Sequence, residues 1–118
     1  MPKNYLIDAH CHLDFESFSQ DFEMVMQRAS EKHINDIIIP GTQKTTWQRI
    51  TTLTDSHANL HPAYGLHPYW ANAHHKSDIA ALEQYVASNP AVAIGECGLD
   101  FRAQQADKDL QLYFLKHS

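Results

Sequence analysis

The stretch Tyr5-Leu6-Ile7-Asp8-Ala9-His10-Cys11-His12 joins a short apolar run to two histidines, and its reading sets the fold. Three consecutive apolar residues, too few for a helix and lacking polar alternation, read as a strand buried on both faces, the habit of parallel sheets. The signature recurs at Ile37-Ile38-Ile39, at Ala63-Tyr64 with Leu60 before it, and at Ala91-Val92-Ala93-Ile94. Pro62 has no N–H to donate and is expected as the first residue of the third strand.

Helical stripes fill the intervals. Ser19 is placed as the cap of a helix carrying Phe22, Val25, Met26 and Ala29 on one face. Trp47, Ile50 and Leu53 mark a second helix, begun by Thr45 or Thr46. Ser77 is placed as the cap of a third, with Ile79, Leu82 and Val86 inward and Asn89-Pro90 as its stop. A fourth starts near Asp107 and presents Leu110, Tyr113 and Phe114. Strand and helix thus alternate four times with a period of about 25 to 30 residues, which predicts an α/β fold with a parallel sheet built by right-handed crossovers. A complete (β/α)8 barrel needs about 250 residues, so four βα units make half of one. The alternative is a small open doubly wound sheet.

Composition narrows the class. The chain has 118 residues, 43% apolar and 19% charged, which fits one soluble globular domain and excludes disorder, collagen and coiled coil. No apolar run approaches the roughly 18 residues that cross a bilayer. Met1-Pro2-Lys3-Asn4-Tyr5 lacks the apolar stretch of a secretory signal, so a cytoplasmic location without membrane contact is expected. There Cys11 and Cys97 have little use for a bridge. The net charge of −5 speaks against a broad basic face that grips nucleic acid. It leaves room for an enzyme that meets phosphates through bound cations. Nine histidines invite a metal hypothesis, which only spacing can support.

Two placements carry that support. In extended chain His10 and His12 point to the same side while Cys11 points to the other, so two imidazoles at the carboxyl end of a strand can share one ion, the plain alternative being two polar loop histidines. Sites form at that end in both candidate folds. Glu96, between Gly95 and Gly98 after the fourth strand, is a carboxylate able to bridge two ions; taken alone, the same residues are a turn with a solvated Glu. His67, in Gly65-Leu66-His67-Pro68-Tyr69, is placed on the substrate side, binding a phosphate or assisting proton transfer, the plain alternative being a stiff turn.

The other candidates are weaker. Cys11 and Cys97 are expected to face the helix layer as small buried apolar residues. Asp8 and Asp100 are read as orienters of the histidines or as caps. Trp70 and Phe101 either line the mouth and stack on a base or simply pack. His33 is placed at the end of the first helix, and His74-His75 in a solvated loop.

At these residues the chain resembles a known family. Asp8 to Asp14 (Asp-Ala-His-Cys-His-Leu-Asp), Gly65 to Tyr69 and Gly95 to Phe101 (Gly-Glu-Cys-Gly-Leu-Asp-Phe) look like successive motifs of the TatD-type metal-dependent hydrolases. The resemblance implies a (β/α)8 barrel of which residues 1–118 form the N-terminal half, and divalent-metal-dependent deoxyribonuclease activity. It implies two divalent ions (Mg²⁺, Mn²⁺ or Zn²⁺), with His10 and His12 on one and Glu96 bridging both. His67 would stand near the substrate phosphate of DNA. It also implies two more histidines and an aspartate, the ligand and base for the nucleophilic water, on strands beyond Ser118. The chain alone is therefore expected to lack the catalytic Asp. Two other readings stand beside this one: a non-catalytic half-barrel that self-associates to cover its open sheet, and an amide or ester hydrolase on the same scaffold.

Overall fold

The computed structural model describes residues 5–102 and 107–118. Residues 1–4, which entered the reading of the start, lie outside the described residues. The elements run β1 (Leu6–Asp8), α1 (Phe22–Glu31), β2 (Ile34–Pro40), α2 (Lys44–Ser56), β3 (Leu60–Tyr64), α3 (Ser77–Ser88), β4 (Ala93–Ile94) and α4 (Lys108–His117). Two 3₁₀ segments, Glu16–Phe18 and Pro68–Ala73, follow β1 and β3.

All strand pairs are parallel, and the spatial order β1-β2-β3-β4 repeats the chain order. A doubly wound sheet reverses direction at a switch point; a barrel adds each strand beside the last. The consecutive order therefore decides for the barrel type. Successive crossovers of one hand then put every helix on one side. On that side Ile37, Ile39, Leu60 and Tyr64 pack against Trp47, Ile50, Leu82 and Phe114. Fully burying each such aliphatic side chain contributes roughly 1.5–3 kcal/mol. One polar knot sits inside this layer. Thr51 Oγ1 donates to the Trp47 carbonyl at 3.1 Å and lies 2.6 Å from both Tyr64 and Tyr85 hydroxyls, which donate to it.

The expectation of strands buried on both faces holds only at the carboxyl ends of β2 and β3, where Ile39-Pro40 and Ala63-Tyr64 are buried; Ile38, His61 and Pro62 are half-buried. Leu6, Ile7, Val92 and Ile94, in or beside the outer strands, are exposed, because β1 and β4 have a neighbour on one side and their inner face meets no second layer. Pro62 is the middle residue of β3 instead of its first. Its carbonyl accepts from Val92 N–H at 3.0 Å, so its missing N–H would point toward β4, which begins only opposite Ala63. No ladder bond is lost there.

Three helix starts differ from expectation. Ser19 closes the Glu16–Phe18 turn, donating to the Glu16 carbonyl, and Asp21 precedes α1. Gln43 caps α2 in a reciprocal box with Thr46. Ser77 lies inside α3, and Asp78 accepts from His75 N–H at 2.9 Å. Asp107 caps α4, accepting from Asp109 and Leu110 N–H. His33 ends α1 through its backbone: with φ 64° it takes the left-handed position after the cap residue Lys32.

Candidate metal centre

The site is assembled at the carboxyl ends of the strands. Beyond β1 the chain stays alongside β2, with Cys11 N–H donating to the Ile38 carbonyl at 3.1 Å. That pairing sends His10 and His12 the same way, their rings edge to face at 5.0 Å. After β4, Glu96 N–H donates to the Gly41 carbonyl at 2.7 Å and Gly41 N–H to the Gly95 carbonyl at 3.0 Å, which fastens Glu96 over the end of β2. Gly41 and Gly65 allow this approach: a Cβ on Gly65 would lie 2.6 Å from the Glu96 carbonyl oxygen.

Three imidazoles converge on one carboxylate. His12 Nε2 is 2.9 Å from Glu96 Oε2, and His10 Nε2 and His67 Nε2 are 3.4 and 3.5 Å from Oε1. Ligand atoms of His10, His12 and Glu96 all lie within 4.8 Å of one another, which suits a divalent ion taking nitrogen and oxygen donors. His12 Nδ1 is buried without a hydrogen-bond partner among the described residues, as is Asp14 Oδ1. Burial pushes the Asp14 carboxyl above its ordinary range, against the pull of its own backbone hydrogen bond, His12 and Arg49.

His67 differs from the other two. Its Nδ1 accepts from Tyr69 N–H at 2.9 Å, so the neutral ring carries its proton on Nε2, toward Glu96. Burial lowers its pKa, although Glu96 and Asp100 pull the other way. Its backbone is held twice, by its own N–H donating to the Thr42 carbonyl at 2.8 Å and by His74 Nε2 donating to its carbonyl at 2.8 Å. A cleft of ≈ 480 Å³ opens over the group, lined by His12, His67, Glu96 and Asp100 with Phe15, Tyr69, Trp70 and Arg102.

Several expectations change here. His74 is buried, edge to face with Phe114 at 5.1 Å, not in a solvated loop; burial lowers its pKa. Cys97 is exposed, because the strand before it lies at the sheet's open edge, whereas Cys11 packs against the core and burial raises its pKa. Asp8 orients the backbone of His10, accepting its N–H at 3.0 Å, and not an imidazole. Asp100 accepts from Arg102, whose hydrogen bonds hold its carboxyl below the usual range. Trp70 lines the cleft, while Phe101 lies outside it with the Lys108 ammonium over its ring at 5.1 Å. Phe15, stacked on His12 with centroids 4.5 Å apart, was not singled out by sequence; its place three residues after a proposed ligand was the available signal. Gln111 gave no signal beyond its position beside an apolar stripe.

A family model described as TatD related DNase matches residues 7–118. The chain belongs to this family. It is 36% identical over 111 residues to the uncharacterized metal-dependent hydrolase YjjV of Escherichia coli K12, covering 92% of this chain and 43% of that protein. It is 33% identical over 109 residues to the 3'-5' ssDNA/RNA exonuclease TatD of Erwinia amylovora, covering 92% and 42%. The crystal structure of the TatD homolog YjjV superposes with a TM-score of 0.88 at 34% identity, covering 95% of this chain and 44% of that one. A TatD family hydrolase from Entamoeba histolytica, 24% identical, shares the fold with a TM-score of 0.84, covering 96% and 44%. The chain thus spans less than half the length of the TatD-family proteins it matches. These matches confirm the TIM-barrel fold class and the TatD family. Among the described residues no helix is long and apolar enough to cross a membrane.

Proposed function

We propose that residues 1–118 are the N-terminal half of a TatD-family (β/α)8 hydrolase that cleaves phosphodiester bonds of DNA with the help of divalent ions. The observation that carries this reading is the convergence of His10, His12 and His67 on Glu96. His10, His12 and the Glu96 carboxylate would hold Mg²⁺, Mn²⁺ or Zn²⁺, and Glu96 would have a second oxygen to offer a second ion. When bound, such ions lower the pKa of water and balance charge gathering on the phosphate.

The chain's own residues have the remaining tasks. The neutral His67 offers its Nε2–H to a phosphate oxygen, and burial keeps it neutral near pH 7. Arg102 at the cleft rim adds a cation for the same anion. Tyr69, exposed beside Trp70 at 4.7 Å, gives an unpaired base a face to stack on. The name carried by the Erwinia relative favours a single-stranded substrate. The aspartate that completes the family's water-activating group belongs to the other half, so this half by itself binds metal and does not turn over DNA. The reading includes a cytoplasmic location, which the two free thiols suit.

The test is metal titration of this chain together with Mn²⁺-dependent digestion of a labelled single strand by the whole protein. His10→Ala/His12→Ala should remove Mn²⁺ binding in the first and activity in the second; digestion at the parental rate by the double variant refutes the assignment.

A second reading, self-association of the half-barrel, is favoured by the exposed Leu6, Ile7, Val92 and Ile94. Light scattering of this chain decides it: a dimer supports it and a monomer excludes it.

A further inference from the structure

The cleft is braced from behind by α4, and one residue makes the brace specific. Gln111 is 1% exposed, although its neighbours on the inner face of the helix, Leu110 and Phe114, are apolar. Its side-chain amide meets the Asp100 peptide in both directions: Asp100 N–H donates to Oε1 at 2.8 Å, and Nε2–H donates to the Asp100 carbonyl at 3.0 Å. These two bonds offset the cost of burying a primary amide. A leucine or methionine would fill the same space and hold nothing.

The loop from Gly95 to Asp100 is otherwise held at its other end. Glu96 N–H donates to Gly41 and Gly95 N–H to the Tyr64 carbonyl, while Cys97 and Leu99 between the two anchor points are exposed. A Cβ built on Gly98 would meet nothing within 4 Å. The loop bearing Glu96 is therefore a span pinned at both ends and bare in the middle. The same helix also touches the loop bearing His67. Asp107 N–H donates to Asn72 Oδ1 at 2.8 Å, and Phe114 packs on the edge of His74, whose Nε2 donates to the His67 carbonyl.

We infer that Gln111 is a positioning residue: by clamping the Asp100 backbone it fixes the span that presents Glu96 to His10, His12 and His67. The inference rests on the metal-site reading for its consequence but not for the clamp itself. Outer contacts that orient ligands change metal affinity by about 10- to 100-fold when removed, and that is the effect assigned to Gln111.

The experiment compares Gln111→Met, which keeps length and removes both hydrogen bonds, with Leu53→Ala, a packing variant on α2. Hydrogen exchange and Mn²⁺ titration are measured on the unsubstituted chain and on both variants. Gln111→Met should speed exchange across residues 95–102 by at least about tenfold and weaken Mn²⁺ binding about 10- to 100-fold. Ile37–Ile39 should stay protected, and Leu53→Ala should leave both site readouts unchanged. Unchanged exchange at Asp100 in Gln111→Met overturns the clamp; a loosened loop with undiminished Mn²⁺ affinity overturns its role at the site. Absence of Mn²⁺ binding in the unsubstituted chain refutes the metal-site reading, while the exchange comparison still decides the clamp. Should Gln111→Met not fold, the unsubstituted chain suffices: the Asp100 amide must exchange more slowly than those of Cys97 and Leu99, and equal rates overturn the inference.

Discussion

Replacing Gly65 by alanine tests how the end of β3 admits Glu96. The added Cβ would fall 2.6 Å from the Glu96 carbonyl oxygen and from the Gly95 carbonyl carbon, where ordinary contact starts at 3.4 Å. Those atoms are main chain and cannot rotate aside, so the two segments must separate by about 0.8 Å. Two hydrogen bonds meet at this point, from Gly95 N–H to the Tyr64 carbonyl at 3.0 Å and from Trp47 Nε1 to the Gly65 carbonyl at 3.1 Å. Overpacking costs about 1–3 kcal/mol and the loss of one such bond about 1, so Gly65→Ala should lose roughly 2–4 kcal/mol. The displacement also exceeds the tolerance of about 0.5 Å within which a metal constellation keeps its geometry. Gly41→Ala is the matched control, since its Cβ would meet backbone at 3.2 Å and ask for only a few tenths of an ångström. Urea melts and Mn²⁺ titrations of both variants provide the readout. If Gly65→Ala melts and binds Mn²⁺ as Gly41→Ala does, the close approach does not position Glu96.

Other outcomes follow from features away from that contact. Thr51→Val leaves the Tyr64 and Tyr85 hydroxyls without their acceptor and should cost about 1–3 kcal/mol in a melt, with Mn²⁺ affinity unchanged. Because burial lowers the pKa of His74 below its ordinary 6.5, the folded chain binds fewer protons there than the unfolded chain. Stability should be intact above that pH and fall as pH drops through and below it, by at most about 1.4 kcal/mol per pH unit for this one proton. His67, lowered for the same reason, adds in the same direction. His74→Gln should flatten the dependence in melts taken between about pH 7.5 and 5; an unchanged slope rejects the assignment. With a thiol reagent at pH 8, exposed Cys97 should react well before Cys11, whose thiolate is disfavoured by burial. Simultaneous labelling of the two would contradict the packing of Cys11.

Much of this arrangement was legible in the residues. Ile37-Ile38-Ile39 and the stripe Trp47, Ile50, Leu53 announce a strand and a helix because burial imposes its period directly on sequence. His10, His12 and Glu96 are legible for a different reason: strand ends fix side-chain direction within two or three residues. What escaped depends on partners far along the chain. His74 looks like a loop residue until Phe114 is laid against it, and Gln111 looks like surface until the Asp100 backbone arrives. Ser19 and Ser77 look like caps in the sequence and are not, because neighbouring residues compete for the same orphan N–H groups and the outcome turns on backbone angles that composition does not encode. Pro62 looks like a strand start in the sequence because its tolerance in mid-strand follows from where β4 begins, not from β3 itself.

The consecutive strand order also bears on how the chain is made. Leu6 pairs with Ile34, Ile37 with Leu60 and Ala63 with Ala93, so every pairing joins segments one unit apart in synthesis. On a ribosome adding about 5–20 residues per second, each strand emerges a few seconds after the edge that receives it. Loops of such similar size carry nearly equal closure entropies. Assembly can thus proceed vectorially, each strand–helix unit serving as the template for the next, with the growing edge as the site of addition.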